Sequence, residues 1–369
     1  MVTVVLGADI VPTPCNIEHF KNEDAKKLVD DKILEFLNES DFRVYNLETT
    51  LYEGNTPIKK CGPAISAPMD TVNGIKNVLN PSVLGVCNNH VLDHGVEGFY
   101  STLDTLKKAG VPYCGGGDNL KEAQKPYVLE KDGKKIGLYF CAEHEFSIAT
   151  EINPGVNPFE ALDSLDHIAD LKAKCDYVIV LYHGGKEEYR YPTKNLQKRC
   201  RKMAEKGADI VICQHTHCIG CEEDYNGSKI IYGQGNFIFN RHENEFWSSG
   251  MLVKVIFDDD IKCEFLPIGR TETGIYAMDG NEKQTTMDAY YKRTEEIKNP
   301  GFIEKAFSEY AKQKSRWYFY RITGGESVHG SFDDYKVNLK ENEIMALINY
   351  ITCEPHVELL QTALDDLAK

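Results

Sequence analysis

The sequence predicts a mixed α/β fold with helices on the faces of its sheet and a helical C-terminal part. Short apolar runs alternate with amphipathic segments through the first half of the chain, as in sheets covered by helices. The later apolar runs follow one another without long helices between them, which points to a second, more antiparallel sheet. Beyond about residue 279 the strand signals cease and helical patterns take over.

The elements follow in order. Residues 2–6, 42–45, 83–86, 111–114 and 177–182 are short and apolar, the pattern of buried strands. Helical periodicity covers 24–37, 71–79, 97–109, 164–174 and 194–206, the last stopping at Gly207. Residues 124–130 and 135–141 flank Lys131-Asp132-Gly133-Lys134 and read as a hairpin. Further strands are expected at 210–213, 229–232, 251–257 and 262–268. Helices are expected at 286–310 and 341–367. The aromatic stretch Trp317, Tyr318, Phe319 and Tyr320 between them reads as core packing. Residues 1–275 are thus expected to form the α/β domain and 276–369 a helical subdomain, a candidate for covering a cleft or for homo-oligomer contacts.

A chain of 369 residues can bury a core without staples. Its net charge of −15 argues against nucleic-acid backbones and anionic membranes as partners. An anionic small-molecule or polymer substrate is still admitted, because bound dications reverse the local sign inside a cleft. No apolar run is long enough for a membrane span, and no signal-peptide pattern opens the sequence. The expectation is a cytoplasmic protein whose 12 cysteines are reduced and mostly buried.

The chemistry-bearing residues fall just after apolar strands. Asp9, Asn46-Leu47-Glu48, Asn88-Asn89-His90, His183, His215-Thr216-His217 and Asn236 all have this placement. Ligands bind outside the carboxyl ends of strands in open α/β sheets, so these positions can converge on one cleft. Carboxylate, amide oxygen and imidazole suit a hard or borderline dication. Two ions bridged by a carboxylate would polarise a phosphoryl oxygen and activate water, and a nearby His could protonate the leaving oxygen. Cys218 and Cys221 beside these histidines invite a zinc reading, but no second cysteine pair stands out. Gly115-Gly116-Gly117 lacks the Gly-Lys-Ser/Thr ending of a phosphate loop. Asn119 and Glu122 have capping-box spacing, so a strand-to-helix turn is expected there. Glu187, Tyr189, Arg190 and Tyr191 are candidates to line a substrate cleft, with Arg190 meeting an anion bidentately; surface exposure is the other reading.

Taken together and in order, Gly7-Ala8-Asp9, Asn46-Leu47-Glu48, Asn88-Asn89-His90 with Asp93 and Gly95, His183-Gly184-Gly185, His215-Thr216-His217 and Gly235-Asn236-Phe237 resemble the CapA-type poly-γ-glutamate capsule synthesis family. That family lies within the calcineurin-like metallophosphoesterase superfamily. The resemblance covers residues 1 to about 270 and implies an αββα sandwich and a metal-dependent hydrolase linked to capsule polymer synthesis. A non-catalytic binding or assembly component is the alternative it leaves open. It further implies that Asp9 and His217 bind one metal, that Glu48 bridges, and that Asn89, His183 and His215 bind the second. His90 would be the general acid, and Asn236 would shape the cleft floor. Apart from the resemblance, Asn46, Glu187 and Arg190 join Asn236 as the candidates on the substrate side. The ions expected are Mn, Zn or Fe, with Mg admitted, one or two per chain. Two departures stand out. The superfamily's Asp-x-His is here Asp9-Ile10-Val11, so one imidazole is missing unless a group such as His144 replaces it. The bridging position holds Glu48 where phosphoesterases usually have Asp.

Overall fold

The computed structural model describes residues 1–240, 244–352, 355–357, 359–360 and 364. The strands of the two main sheets are β1 (Val2–Val11), β2 (Phe42–Leu47), β3 (Val83–Gly85), β4 (Tyr113–Cys114), β5 (Tyr127–Lys131), β6 (Lys134–Ala142) and β7 (Tyr177–His183). They continue with β8 (Ile210–Gln214), β9 (Glu222–Tyr225), β10 (Ser228–Ile231), β11 (Asn236–Phe239), β12 (Ser249–Phe257), β13 (Ile261–Arg270) and β14 (Ile275–Ala277). One sheet has the order β14-β13-β12-β1-β2-β3-β4, with β11 also paired to β1. The other has the order β9-β10-β8-β7-β6-β5. In each sheet the central strands are parallel and antiparallel strands lie to one or both sides.

Strand alternation explains the layering. In β7, Ile179 and Leu181 join a core that also holds Val4, Leu6, Val44 and Leu84 of the first sheet. Val178, Val180 and Tyr182 point the other way. They pack with Ile168 and Leu171 of the helix Ser164–Lys172, and with Leu196, Cys200 and Met203 of the helix Lys194–Glu205. The two sheets therefore share one apolar interior, and helices cover the outer face of the second. The first sheet is covered by Ile33 and Leu37 of Asp31–Asn38 and by Phe99, Leu103 and Leu106 of Gly95–Ala109. This is the expected αββα sandwich. The hairpin between β5 and β6 turns on Asp132 (φ 52°) and Gly133 (φ 75°), the positive-φ pair that a two-residue turn demands. Asn119 caps the helix Leu120–Ala123 by accepting the Glu122 N–H.

Several expected helices are divided. The periodic stretch 24–37 breaks at Val29, which bridges to Ile275 of β14, after which Asp30 caps the next helix through the Ile33 N–H at 2.8 Å. The stretch expected as one helix over 286–310 begins earlier, at Gly280, and ends at Glu296. A new helix starts at Phe302, past Pro300 and Gly301, which has φ 78°. Trp317 and Tyr318 are 45% and 43% exposed, so the aromatic stretch is only partly core; Tyr320 is buried. Of the helix expected at 341–367, Glu341–Thr352 is helical, while 353–354, 358, 361–363 and 365–367 lie outside the described residues. The chain divides into two compact units, Met1–Ile303 and Glu304–Lys369, so the helix Gly280–Glu296 belongs to the first. Its Tyr290 is fully buried and donates to Glu222 at 3.1 Å. No helix among the described residues is long and apolar enough to cross a membrane.

Candidate metal centre

The centre is assembled at the carboxyl ends of strands from both sheets. Strand β1 does not stop at Leu6; it continues through Val11, with a shift in register between Leu6 and Asp9. The irregularity sets Asp9 beside Asn46 of β2 on one flank and Asn236 of β11 on the other. Glu48 follows β2 and is fixed by its N–H donating to Ile10 O at 3.1 Å. From the second sheet, His183 is the last residue of β7, and His215 and His217 follow β8. Both of these latter histidines sit at positive φ, 79° and 54°. That conformation costs roughly 1–3 kcal/mol at a non-glycine residue and recurs where side chains must be aimed at a site.

The side chains converge. His183 Nε2 lies 3.1 Å from Glu48 Oε1 and 3.0 Å from Asn89 Oδ1. His217 Nδ1 lies 3.8 Å from Asp9 Oδ2 and 2.8 Å from Asn236 Oδ1. The His183 and His215 rings are 4.9 Å apart. Three sets of side chains can each hold an ion, Glu48 with His183 and His215, Asp9 with Glu48 and His217, and the more exposed Glu143 and Glu145 with His215, every donor atom of a set lying within 4.8 Å of the others; the first two sets are wholly buried. Glu48 belongs to both. Asn46 donates to Asp9 Oδ1 at 2.7 Å, and Asn88 donates to Asn46 at 3.1 Å and to Leu47 O at 2.7 Å, locking the first-sheet side in place.

Electrostatics show what the pocket lacks. Burial pushes the Asp9 carboxyl up to about 7, and pushes Glu48 well above its usual range, with the Asp9 charge adding to it. Burial holds His183 and His215 well below the ordinary imidazole value, so both are neutral and carry a lone pair. Asp9 Oδ2, both Glu48 oxygens and His215 Nδ1 are buried without a hydrogen-bond partner. Unpartnered buried carboxylate oxygens facing neutral imidazoles are what a divalent cation would satisfy. The residues present fit a metal.

Other candidates have mixed placements. His90 is buried, its Nδ1 2.6 Å from Asp93 Oδ2, and Asp93 is also ion-paired with the buried Lys60. Glu187 is half exposed, 4.0 Å from His215 Nε2. Arg190 donates to Ile219 O and stacks over Phe246, 4.8 Å from its centroid. Asn46 and Asn236 are buried and bonded to the candidate ligands. Val11, where the third imidazole would stand, is buried with Phe239 and Trp247. His144 pairs with Glu160 on the surface at 2.7 Å and belongs to none of the three ligand sets. It does not replace the missing imidazole. Cys218 and Cys221 are buried, and no cysteine enters a metal-holding group among the described residues.

Two residues escaped the sequence reading. Glu143 follows β6 directly and lies 3.4 Å from His215 Nε2; the strand-end rule that selected its neighbours would have selected it too. Arg270 ends β13 and donates to Asn236 O at 2.6 Å, to Trp247 O at 3.3 Å and to Phe237 O. It lies near enough to Asp9 to favour that carboxylate, and its own burial pulls it down to about 9. Trp247 in turn stacks on His217, ring centroids 3.9 Å apart.

A two-sheet sandwich that gathers carboxylate, amide and imidazole donors at its strand ends offers a candidate metal site. Residues 3–241 match the family described as bacterial capsule synthesis protein PGA_cap, and the chain belongs to that family. It is 34% identical to the PGA biosynthesis protein CapA of Bacillus subtilis over 166 residues, 44% of either chain. It is 29% identical to the capsule biosynthesis protein CapA of Bacillus anthracis over 215 residues, 56% of this chain and 52% of that one. It is 25% identical to a probable polyglutamine synthesis accessory protein of Mycobacterium tuberculosis over 213 residues, 54% of this chain and 56% of that one. The matches thus span about half the length of these relatives.

Proposed function

We propose that this chain is a divalent-metal-dependent hydrolase of the phosphoester type, acting on an anionic substrate in capsule or poly-γ-glutamate formation. The observation that carries the reading is Glu48, a fully buried carboxylate shared by two ion-holding groups, with neither oxygen hydrogen-bonded. Glu48, Asn89, His183 and His215 would hold one ion, and Asp9, Glu48 and His217 the other. Mn, Zn or Fe suits this donor set, and Mg is admitted. The bound metal supplies a Lewis acid for a phosphoryl oxygen and lowers the pKa of water. The chain's own residues do the rest. Asn46 and Asn236 hold Asp9 and His217 in position. Asp93 holds the His90 ring at its Nδ1–H, and it is as the imidazolium, protonated on both nitrogens, that His90 would give its Nε2 proton to a leaving oxygen. The half-exposed Glu187 stands at the rim of the site. Protein refilled with Mn or Zn should cleave a generic phosphomonoester or phosphodiester, and His90→Ala and His215→Ala should each abolish that activity. Turnover that survives both changes sinks the reading.

A second reading is a non-catalytic binding or assembly component of polymer synthesis. Val11 favours it, since an apolar side chain stands where a third ligand to one ion would be. The description of the mycobacterial relative as a probable accessory protein is in line with it. One metal equivalent or none, inertness on a phosphoester panel and binding of polyglutamate would support this reading; metal-dependent turnover at ordinary enzyme rates would end it.

A further inference from the structure

Glu143 lies between two of the motifs that build the centre. Its Oε2 accepts the Gly185 N–H at 3.1 Å, and its Oε1 is 3.4 Å from His215 Nε2. A Cβ on Gly184 would stand 2.8 Å from Glu143 Oε2 and from the Tyr182 ring, so glycine leaves room for the carboxylate there. The side chain at 143 is 28% exposed, whereas that of His215 is 3% exposed. The His215 ring thus has two unlike ends. Nε2 faces the Glu143 carboxylate, with Glu187 beyond it at 4.0 Å. Nδ1 is buried without a hydrogen-bond partner.

A neutral imidazole carries one proton, and the nitrogen that keeps it cannot bind a metal. A carboxylate facing one nitrogen selects the tautomer with the proton there and orients the ring. We infer that Glu143 is a positioning residue that holds the His215 proton on Nε2 and so leaves Nδ1 bare for the metal. The inference rests on the metal-centre reading above only for the identity of what Nδ1 meets. The demand on Glu143 is for two acceptors at once, one for Gly185 N–H and one for His215 Nε2–H. A carboxylate meets both. A carboxamide has one oxygen, and if that serves Gly185, an NH2 group is left against Nε2. Glutamine at 143 would then favour the wrong tautomer with almost no change in volume.

The test is long-range proton–nitrogen NMR of metal-free protein carrying nitrogen-15 histidine, with Mn and Zn binding measured by calorimetry on the same samples. Wild type should show His215 as the Nε2–H tautomer. Glu143→Gln should shift it toward Nδ1–H and weaken metal binding roughly 10–100-fold, the usual effect of losing such a support. Glu143→Asp, which keeps both acceptors, should restore the tautomer at least in part. Because Gln matches Glu in shape, a purely space-filling role would move neither signal. A Gln variant with the wild-type tautomer and wild-type affinity overturns the inference. A tautomer shift in protein that binds no metal upholds the positioning role while removing the hydrolase reading.

Discussion

Glu48 Oε1 stands 3.1 Å from His183 Nε2, yet neither oxygen of the carboxylate accepts a hydrogen bond, and both residues are almost wholly buried. The pair comes from different sheets, so the packing of the sandwich itself brings it together. A buried carboxylate in that state weakens the metal-free fold and favours an ion.

This relationship predicts a stability crossover. Without metal, Glu48→Gln removes a buried acid that burial already pushes well above its usual range. The metal-free variant should melt higher than wild type at pH 8, by about 2–4 °C for each kcal/mol recovered. With saturating Mn or Zn the order should reverse, because the shared ligand is lost. Calorimetric melting with and without chelator checks both halves; the same order in both conditions would count against a metal role for Glu48.

The pH dependence of the metal-free protein follows from Asp9 and Glu143, both raised to about 7, chiefly by burial. In this range the unfolded chain ionises its carboxyls first while the native chain keeps its protons. Their contribution to stability is therefore full at low pH, falls as pH rises from the ordinary carboxylate range to about 7, and is flat above. Metal affinity should run the opposite way, rising over the same window as the carboxyls become charged. Denaturant unfolding at several pH values, with and without metal, reads both slopes.

Val11→His should supply the imidazole missing beside Asp9. Val11 packs with Phe239 and Trp247, so the larger side chain should cost about 1–3 kcal/mol in the metal-free protein. The weaker metal equivalent should bind roughly tenfold tighter or more, as an added imidazole ligand implies. Titration calorimetry on wild type and variant measures it. An unchanged second equivalent would show that packing, not ligand count, limits that position.

Lys60 and Asp93 form a buried ion pair, their side chains 2% and 0% exposed, and Asp93 also holds His90. Lys60→Met alone leaves the carboxylate uncompensated and should cost about 3–5 kcal/mol. Adding Asp93→Asn should recover part of that loss. A double-mutant cycle by chemical denaturation gives the coupling, and strict additivity would contradict the pairing.

Much of the candidate site was legible in the sequence. Strand periodicity placed Asn89, His183, His215 and His217 at strand ends, and strand ends gather in α/β sheets by topology alone. The order of the six motifs carried the family, and the family match over residues 3–241 agrees with it. Helix boundaries were less legible. Val29 leaves its helix to bridge Ile275, and the residue 246 positions away that draws it out has no local signature. For the same reason β1 runs on through Asp9, since its extension is set by Asn46 and Asn236 on the neighbouring strands.

The sequence by itself determined which residue types can bind a cation, and that an imidazole is absent after Asp9. Only the tertiary structure decided whether His144 takes its place. Val11 is sealed against Phe239 and Trp247, and His144 is committed to Glu160 on the surface. Tertiary packing also brought Glu143 to His215 and Arg270 close to Asp9, supports contributed by strands remote in the chain. The physical reason is the range of the interactions. Periodicity and capping act over a few residues and are written locally, whereas burial, charge and ring orientation depend on which strands become neighbours.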